Sequence, residues 1–414
     1  MRLFAFEGIH YTPKAGHAGD TGPLAAPPYD QINEAARDRF HAQDPHQFVH
    51  LTRPLAPEGG DPYRFAASLH HKWLDEGVLA RDERPALYPY VIELAGGGHR
   101  LGVLGLAGLE DATVIRPHEQ TLDKPLADRL ALLSAMHVDL EPVFLLSEDA
   151  GRLDALIAED IAGAKPLVRH QDADGHFHVV YRVDDPERIR LYQEATAGTA
   201  AIADGHHRYK VAQKFASERG IRPGTAASAK LAVVTSIAAP ALEIEPIHRA
   251  LREEIDLAKI AHLEASSMPF HGSSGSEFAQ ALAEIPEAQQ PAIGIWKAGR
   301  TPEIWLLDTS VRNVRSPGTP LLTVEILHEI ILPALGYSPD AGTDGTVVYR
   351  SNPDELWQQI ADGELKTGLW LPPMLPAAFS AAIADGQMLP PKSTRFMPKV
   401  MSGLVWADHD SRIL

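Results

Sequence analysis

Ala201-Ile202-Ala203-Asp204-Gly205-His206-His207-Arg208-Tyr209 is the stretch on which the reading of this chain turns. The apolar run from Thr199 to Ala203 predicts a strand, Asp-Gly predicts a tight turn, and the spacing of Tyr209, Ala212, Phe215 and Ala216 predicts a helix. Such a turn leaves the first backbone N–H groups of the helix without intrahelical partners and aims the positive end of the helix dipole at the same point. Arg208, His206 and His207 add side-chain donors there, which suits phosphate. Asp204 stands at the edge of the turn, placed to hold a metal ion or to accept a proton. The alternative is a capped helix with surface histidines. Against it, two histidines and an arginine in a first helical turn are costly unless an anion offsets their charge.

Composition bounds what such a site can serve. With 414 residues and 44% hydrophobic content the chain can bury a large core, and its length suggests two or three domains. A net charge of −17 argues against nucleic acid as a partner, because binding of that kind draws on phosphate neutralisation and counterion release. There is no cysteine, so disulfides, thiolate catalysis and cysteine-ligated metal are excluded. The start, Met1 to Glu7, has too short an apolar run for a signal peptide, and no segment approaches the roughly 20 apolar residues that span a bilayer. The expectation is a soluble cytoplasmic protein acting on a small molecule, with no membrane partner.

The order of elements is mixed. Ile32–Phe40 reads as a helix after an Asp30 cap, and Pro62–Leu79 as a stronger amphipathic helix. A hairpin is expected from Ala86–Leu94 and Leu101–Leu109 around Gly96-Gly97-Gly98. Further expectations are a helix over Leu126–Met136, a buried strand at Pro142–Leu146, a helix at Leu153–Ala164 and a buried strand at Leu231–Ile237. Later come a helix at Phe278–Ile285, strands at Ala292–Trp296 and Glu303–Leu307, a helix at Val324–Leu335, and strands at Thr346–Tyr349 and Thr367–Leu371. This order predicts an α+β (mixed α/β) fold, not a regular βαβ repeat. A composition shift near residue 255 divides it into residues 1–255, carrying the phosphate- or nucleotide-binding region, and residues 256–414, a C-terminal α/β region. The basic, proline-rich tail at 388–400 is expected to fold back onto the acidic body, over the site.

Two further motifs carry chemistry. In Arg116-Pro117-His118-Glu119, Glu119 is a candidate general base or metal ligand, and Arg116 with Lys124 can steady phosphate oxygens. In Lys392-Ser393-Thr394-Arg395, with Lys399 nearby, hydroxyls and cations are close enough to line an anion pocket. Each also reads as a solvated loop. Pro27-Pro28-Tyr29-Asp30 reads as a plain turn, His50 and His248 as structural histidines, and His328-Glu329 lacks the second histidine of a zinc-protease motif. The chain contains no Walker motif, no Gly-x-Gly-x-x-Gly fingerprint and no Gly-x-Ser-x-Gly elbow.

Together, Pro27-Pro28-Tyr29-Asp30, Arg116-Pro117-His118-Glu119 with Thr121, Lys124-Pro125 and Asp128-Arg129-Leu130, Ala203–Tyr209, and Pro391-Lys392-Ser393-Thr394 with Pro398-Lys399 resemble the domain-of-unknown-function family 1015. The resemblance runs from about residue 5 to about residue 408, with Leu126 where the family usually has lysine. The central turn is similar to that of the ParB/sulfiredoxin-like superfamily, which implies a core of that kind elaborated with additional strands and helices. Sulfiredoxin chemistry needs a cysteine that this chain lacks, and the charge argues against a ParB-type DNA-binding role. The ADP-dependent free serine kinases of that superfamily share the full Asp-Gly-His-His-Arg string.

The resemblance therefore implies a phosphoryl-transfer enzyme of serine metabolism, a nucleotide-dependent kinase of free serine or a similar hydroxy compound, using Mg²⁺ and ADP or ATP. The Gly205–His207 backbone and Arg208 would hold phosphates, Asp204 would bind the metal or orient the acceptor hydroxyl, Glu119 would act as general base, and His206 or His207 would stabilise charge on the transferred group. Arg116, Lys124, Lys392, Ser393 and Thr394 would complete the anion pocket. The alternatives are a phosphatase of a metabolite such as phosphoserine and a non-catalytic nucleotide-binding regulator.

Overall fold

The computed structural model describes the chain except residues 17–19, 120–122, 287–290, 314–319 and 339–344, together with the side chains of 123–125 and 312–313. Contacts group the chain into two units. The first comprises Met1–Pro117, Thr121–Leu242 and Pro398–Leu414; the second comprises His118–Gln120 and Glu243–Met397. The expected boundary at residue 255 lies inside the second unit. The strand His248–Leu251 explains this, because it pairs with Val347–Arg350 on one side and Thr367–Trp370 on the other. The end of the chain, Pro398–Leu414, belongs to the first unit.

The first unit is built on a mixed sheet whose strands run in the order Ile115–Arg116, Ala200–Asp204, Val143–Ser147, Ala229–Ser236, His99–Gly108, Tyr88–Glu93, Phe177–Val180, Val168–Gln171, with Leu3–Phe4 also paired to His99–Gly108. Ala229–Ser236 is buried at every position, as its apolar run requires, and helices Arg152–Ile161 and His206–Glu218 pack against it. Leu145, Ile202, Val234, Leu153, Ile157 and Tyr209 are members of one core cluster. Helix His206–Glu218 buries Arg208, Val211, Ala212 and Phe215, the spacing of one helical face, and packs against helix Asp123–Met136. The expected hairpin is present as Tyr88–Glu93 and His99–Gly108, with Gly97 and Gly98 at positive φ in its turn.

The second unit holds a separate sheet in the order Glu264–Pro269, Glu303–Leu307, Ala292–Lys297, Thr367–Trp370, His248–Leu251, Val347–Arg350. One core cluster includes Ile293, Ile295, Trp305, Leu327 and Leu369; another includes Phe278, Leu282, Trp296, Leu356 and Trp370. The fold class is mixed α/β, as the order of elements predicts.

Several expected boundaries move for local reasons. The first helix is Glu34–Gln43, capped by the Asn33 side chain accepting from the Ala36 amide; Asp30 lies in a separate 3₁₀ turn, Tyr29–Gln31. The helix from Pro62 stops at Asp75, and after Gly77, at φ +69°, Leu79–Arg81 becomes a strand paired with Ile9–Tyr11. The expected helix Val324–Leu335 is interrupted by a π-helical turn, Leu327–Ile331, just before Pro333, which has no N–H to give to the ladder.

Candidate functional site

In the first unit, the strand Ala200–Asp204 loses register with Val143–Ser147 between Ile202 and Asp204. The irregularity comes immediately before the turn and re-aims Asp204. Gly205 then takes φ +92°, and a Cβ there would lie 3.0 Å from Val143 Cγ1 and 3.1 Å from Arg208 Cζ. Both conformation and space therefore require glycine. The Tyr209 amide donates to the Gly205 carbonyl at 2.9 Å, so the amides of His206, His207 and Arg208 precede the helix's own ladder.

Asp204 lies between two cations. Arg208 Nη2 donates to its Oδ2 at 3.0 Å, and Lys399 Nζ is 3.3 Å from its Oδ1. Burial pulls the Asp204 carboxyl up, but Lys399 and then Arg208 outweigh it and hold the group below the usual carboxylate range. Burial alone would lower Arg208; Asp204 foremost, then Asp30 and Glu141, more than reverse that and raise it. Burial lowers His206 to about 4, opposed only in part by Asp204, so this imidazole is neutral at pH 7.

Two expected roles change here. Arg208 does not reach outward to grip a ligand: it is 6% exposed, and its guanidinium is turned inward onto Asp204 and the Pro142 carbonyl. Asp204 does not fit a resident Mg²⁺ ion either, because each of its oxygens already faces a cation that a metal would have to displace. Among the described residues, the cluster of three metal-competent side chains is Asp172, Asp174 and His176, in a surface turn where Asp172 already accepts from the amides of the other two. The Lys399 ammonium and the helix-start amides do fit an anion, and hence the phosphates of a nucleotide. The sequence marks Lys399 as a cation beside Lys392–Arg395 and as part of the Pro398-Lys399 motif, but not as a partner of Asp204.

Arg116 is half-buried on the edge strand Ile115–Arg116, opposite Ala201 of the strand that leads to the turn. The Lys124 side chain lies outside the described residues, as does Thr121.

The second unit holds a different cluster. Lys392 is exposed and takes φ +59°, and its amide donates to Glu119 Oε1 at 3.2 Å. Ser393 is buried and donates to the Pro390 carbonyl at 2.5 Å, while Thr394 Oγ1 lies 2.8 Å from His118 Nε2. The Ser393 hydroxyl thus bonds within its own loop, and that of Thr394 ties the loop to His118. Sequence reasoning missed Arg249, which is fully buried and anchors the same loop. Its Nη2 donates to the Pro391 carbonyl at 3.1 Å and its Nε to His328 Nε2 at 3.1 Å. Burial lowers it to about 10 despite Tyr349 and Glu119. The available signal was a His-Arg pair inside an otherwise apolar strand.

The fold and the turn thus define a mixed α/β protein with an ion-paired carboxylate at a strand-to-helix junction. The chain belongs to the family described as protein of unknown function (DUF1015), whose model matches residues 3–312. The Pro391–Lys399 motif lies beyond that match. No curated protein matches the chain. Among solved structures it is similar to a conserved hypothetical protein from Pyrococcus furiosus, with 13% identity, 74% of this chain and 94% of that chain covered, and a TM-score of 0.35. A free serine kinase in complex with AMP matches at 13% identity, covering 74% of this chain and 91% of that one, with a TM-score of 0.36. SbnI from Staphylococcus aureus, with a C-terminal truncation, matches at 12% identity, covering 72% and 84%, also at 0.36. Scores of this size carry neither function nor residues across. Among the described residues, no helix is long and apolar enough to cross a membrane.

Proposed function

We propose that this chain transfers a phosphoryl group on a small metabolite, as a nucleotide-dependent kinase of free serine or a similar hydroxy compound. The observation that carries the reading is the pairing of Asp204 with both Arg208 and Lys399 at the start of a helix. Fixed cations and helix-start amides at one point suit the charge of a transferring phosphoryl group. The Asp-Gly-His-His-Arg string shared with the free serine kinases supports the finer assignment.

In this reading the amides of residues 206–208 and the Lys399 ammonium hold phosphate oxygens. Arg208 works from below, fixing the Asp204 carboxylate. Neutral His206 donates a hydrogen bond and carries no charge. A bound nucleotide supplies the phosphoryl group, and Mg²⁺ would arrive on its phosphates. Glu119 is kept as the proposed proton acceptor on the sequence resemblance alone.

The test is incubation of the protein with serine and a panel of small hydroxy compounds, with ADP or ATP and Mg²⁺, and separately with phosphoserine with and without ADP. Nucleotide-dependent transfer is expected. Free phosphate released from phosphoserine without nucleotide would instead make the protein a phosphatase. The saturation of both Asp204 oxygens favours a second reading, a nucleotide-binding regulator without chemistry; calorimetric binding of nucleotide with no turnover across the panel would select it.

A further inference from the structure

The first unit contains a polar cleft of about 320 Å³ whose described lining does not include residues 204–208. Tyr29, Arg37, Arg53, Tyr63, Asp128 and Arg129 shape it. They come from separate elements: the 3₁₀ turn Tyr29–Gln31, helix Glu34–Gln43, the residue after Val49–Thr52, the first turn of Pro62–Asp75, and helix Asp123–Met136. Nothing in local sequence brings these arginines together; the fold does.

The cleft is organised in advance. Arg129 is 8% exposed, donates through Nη1 to the Thr52 carbonyl at 2.8 Å and through Nε to Asp128 Oδ2 at 2.7 Å, and lies 4.3 Å over the Tyr29 ring. Arg53 Nη1 donates to the carbonyls of Ile32 at 2.7 Å and Tyr29 at 3.2 Å. Tyr63 donates to the other oxygen of Asp128 at 2.7 Å. Asp128 is therefore fully engaged by Arg129 and Tyr63.

The charge is the decisive quantity. Three guanidiniums and one carboxylate line the cleft, and Asp38 outside the lining pairs with Arg37, which leaves a surplus of one positive charge within a chain whose net charge is −17. A bound anion offsets the charge left over on the guanidiniums. Guanidinium forks held in place match the oxygens of a phosphate. The volume falls at the lower end of small-molecule sites and exceeds what a bare ion needs, and two tyrosines offer ring faces and hydroxyls beside the cations.

We propose that this cleft binds a small metabolite through a phosphate monoester. The inference stands whether or not the 204–208 turn transfers phosphate.

Calorimetric titration of the full chain with phosphoserine, glycerol 3-phosphate, inorganic phosphate and citrate tests it. Wild type is expected to bind at least one ester saturably and more tightly than inorganic phosphate or citrate. Arg53→Met and Arg37→Met should each weaken that binding by about tenfold or more, while Arg190→Met, an exposed arginine on helix Pro186–Ala195, should leave it unchanged. Arg53 also ties two backbone carbonyls; if Arg53→Met unfolds, Arg37→Met, whose partner is the exposed Asp38, carries the test. Four results would overturn the proposal: no saturable ester binding; unchanged affinity in the folded Arg37 and Arg53 variants; citrate or inorganic phosphate bound at least as tightly as the esters; or an equal loss of ester binding in Arg190→Met.

Discussion

Lys399 Nζ stands 3.3 Å from Asp204 Oδ1 on the side of the carboxylate opposite its other partner, Arg208, at 3.0 Å. One negative charge thus serves two cations, and Arg208 is almost fully buried. Asp204→Asn removes that charge and leaves the buried guanidinium with only the more weakly acting Asp30 and Glu141. We expect a loss of about 3 kcal/mol in urea unfolding, together with loss of turnover. A variant as stable as wild type would show that the pair contributes little.

Gly205→Ala tests the turn itself. The new Cβ meets Val143 and Arg208 at 3.0 and 3.1 Å, in a conformation that alanine disfavours. The expected cost is about 1–3 kcal/mol, read from the denaturation midpoint. A neutral outcome would mean that the turn relaxes freely.

Glu119→Gln separates chemistry from structure in the second unit. Glutamine keeps the oxygen that accepts from the Lys392 amide. Removing the charge beside buried Arg249 should cost about 1 kcal/mol of stability, while turnover should fall by about a hundredfold or more if Glu119 accepts the proton. Unchanged turnover removes Glu119 from the mechanism.

Acid should weaken both units before carboxylates titrate. In the first, the Trp406 indole donates to His70 Nε2 at 3.1 Å; in the second, the Leu371 amide donates to His248 Nδ1 at 3.2 Å. Each imidazole must be neutral to accept. Burial lowers His70 to about 4 and His248 to about 3. Because these folded values lie below the ordinary histidine value of about 6.5, the unfolded chain binds protons first as pH falls. Stability should therefore drop from about pH 6.5 downward, by about 3 kcal/mol per histidine at pH 4. Urea midpoints at pH 7 and pH 5 check the sign; equal midpoints would contradict it.

What could be read in advance was what local spacing determines. The apolar run to Ala203, the Asp-Gly step and the spacing from Tyr209 to Ala216 lie within one short segment, and the strand, turn and helix appear there. The direction of Arg208 was not legible, because it depends on the Pro142 carbonyl, contributed by a neighbouring strand. The edge strand Glu264–Pro269 escaped notice because it is exposed and carries serines and a proline where an apolar alternation is sought. Tyr29 reads as part of a plain turn until Arg53 and Arg129 are seen beside it. Those partners come from distant segments, and no periodicity records them.

In the proposed function an anion is held where the chain passes from Asp204 into the helix beginning at His206. Calorimetric titration of ADP into wild type and Lys399→Met tests it most directly. Saturable binding to wild type is expected, with affinity weaker by about tenfold or more in the folded variant. Equal affinity in the two proteins, or no binding by wild type, would contradict it.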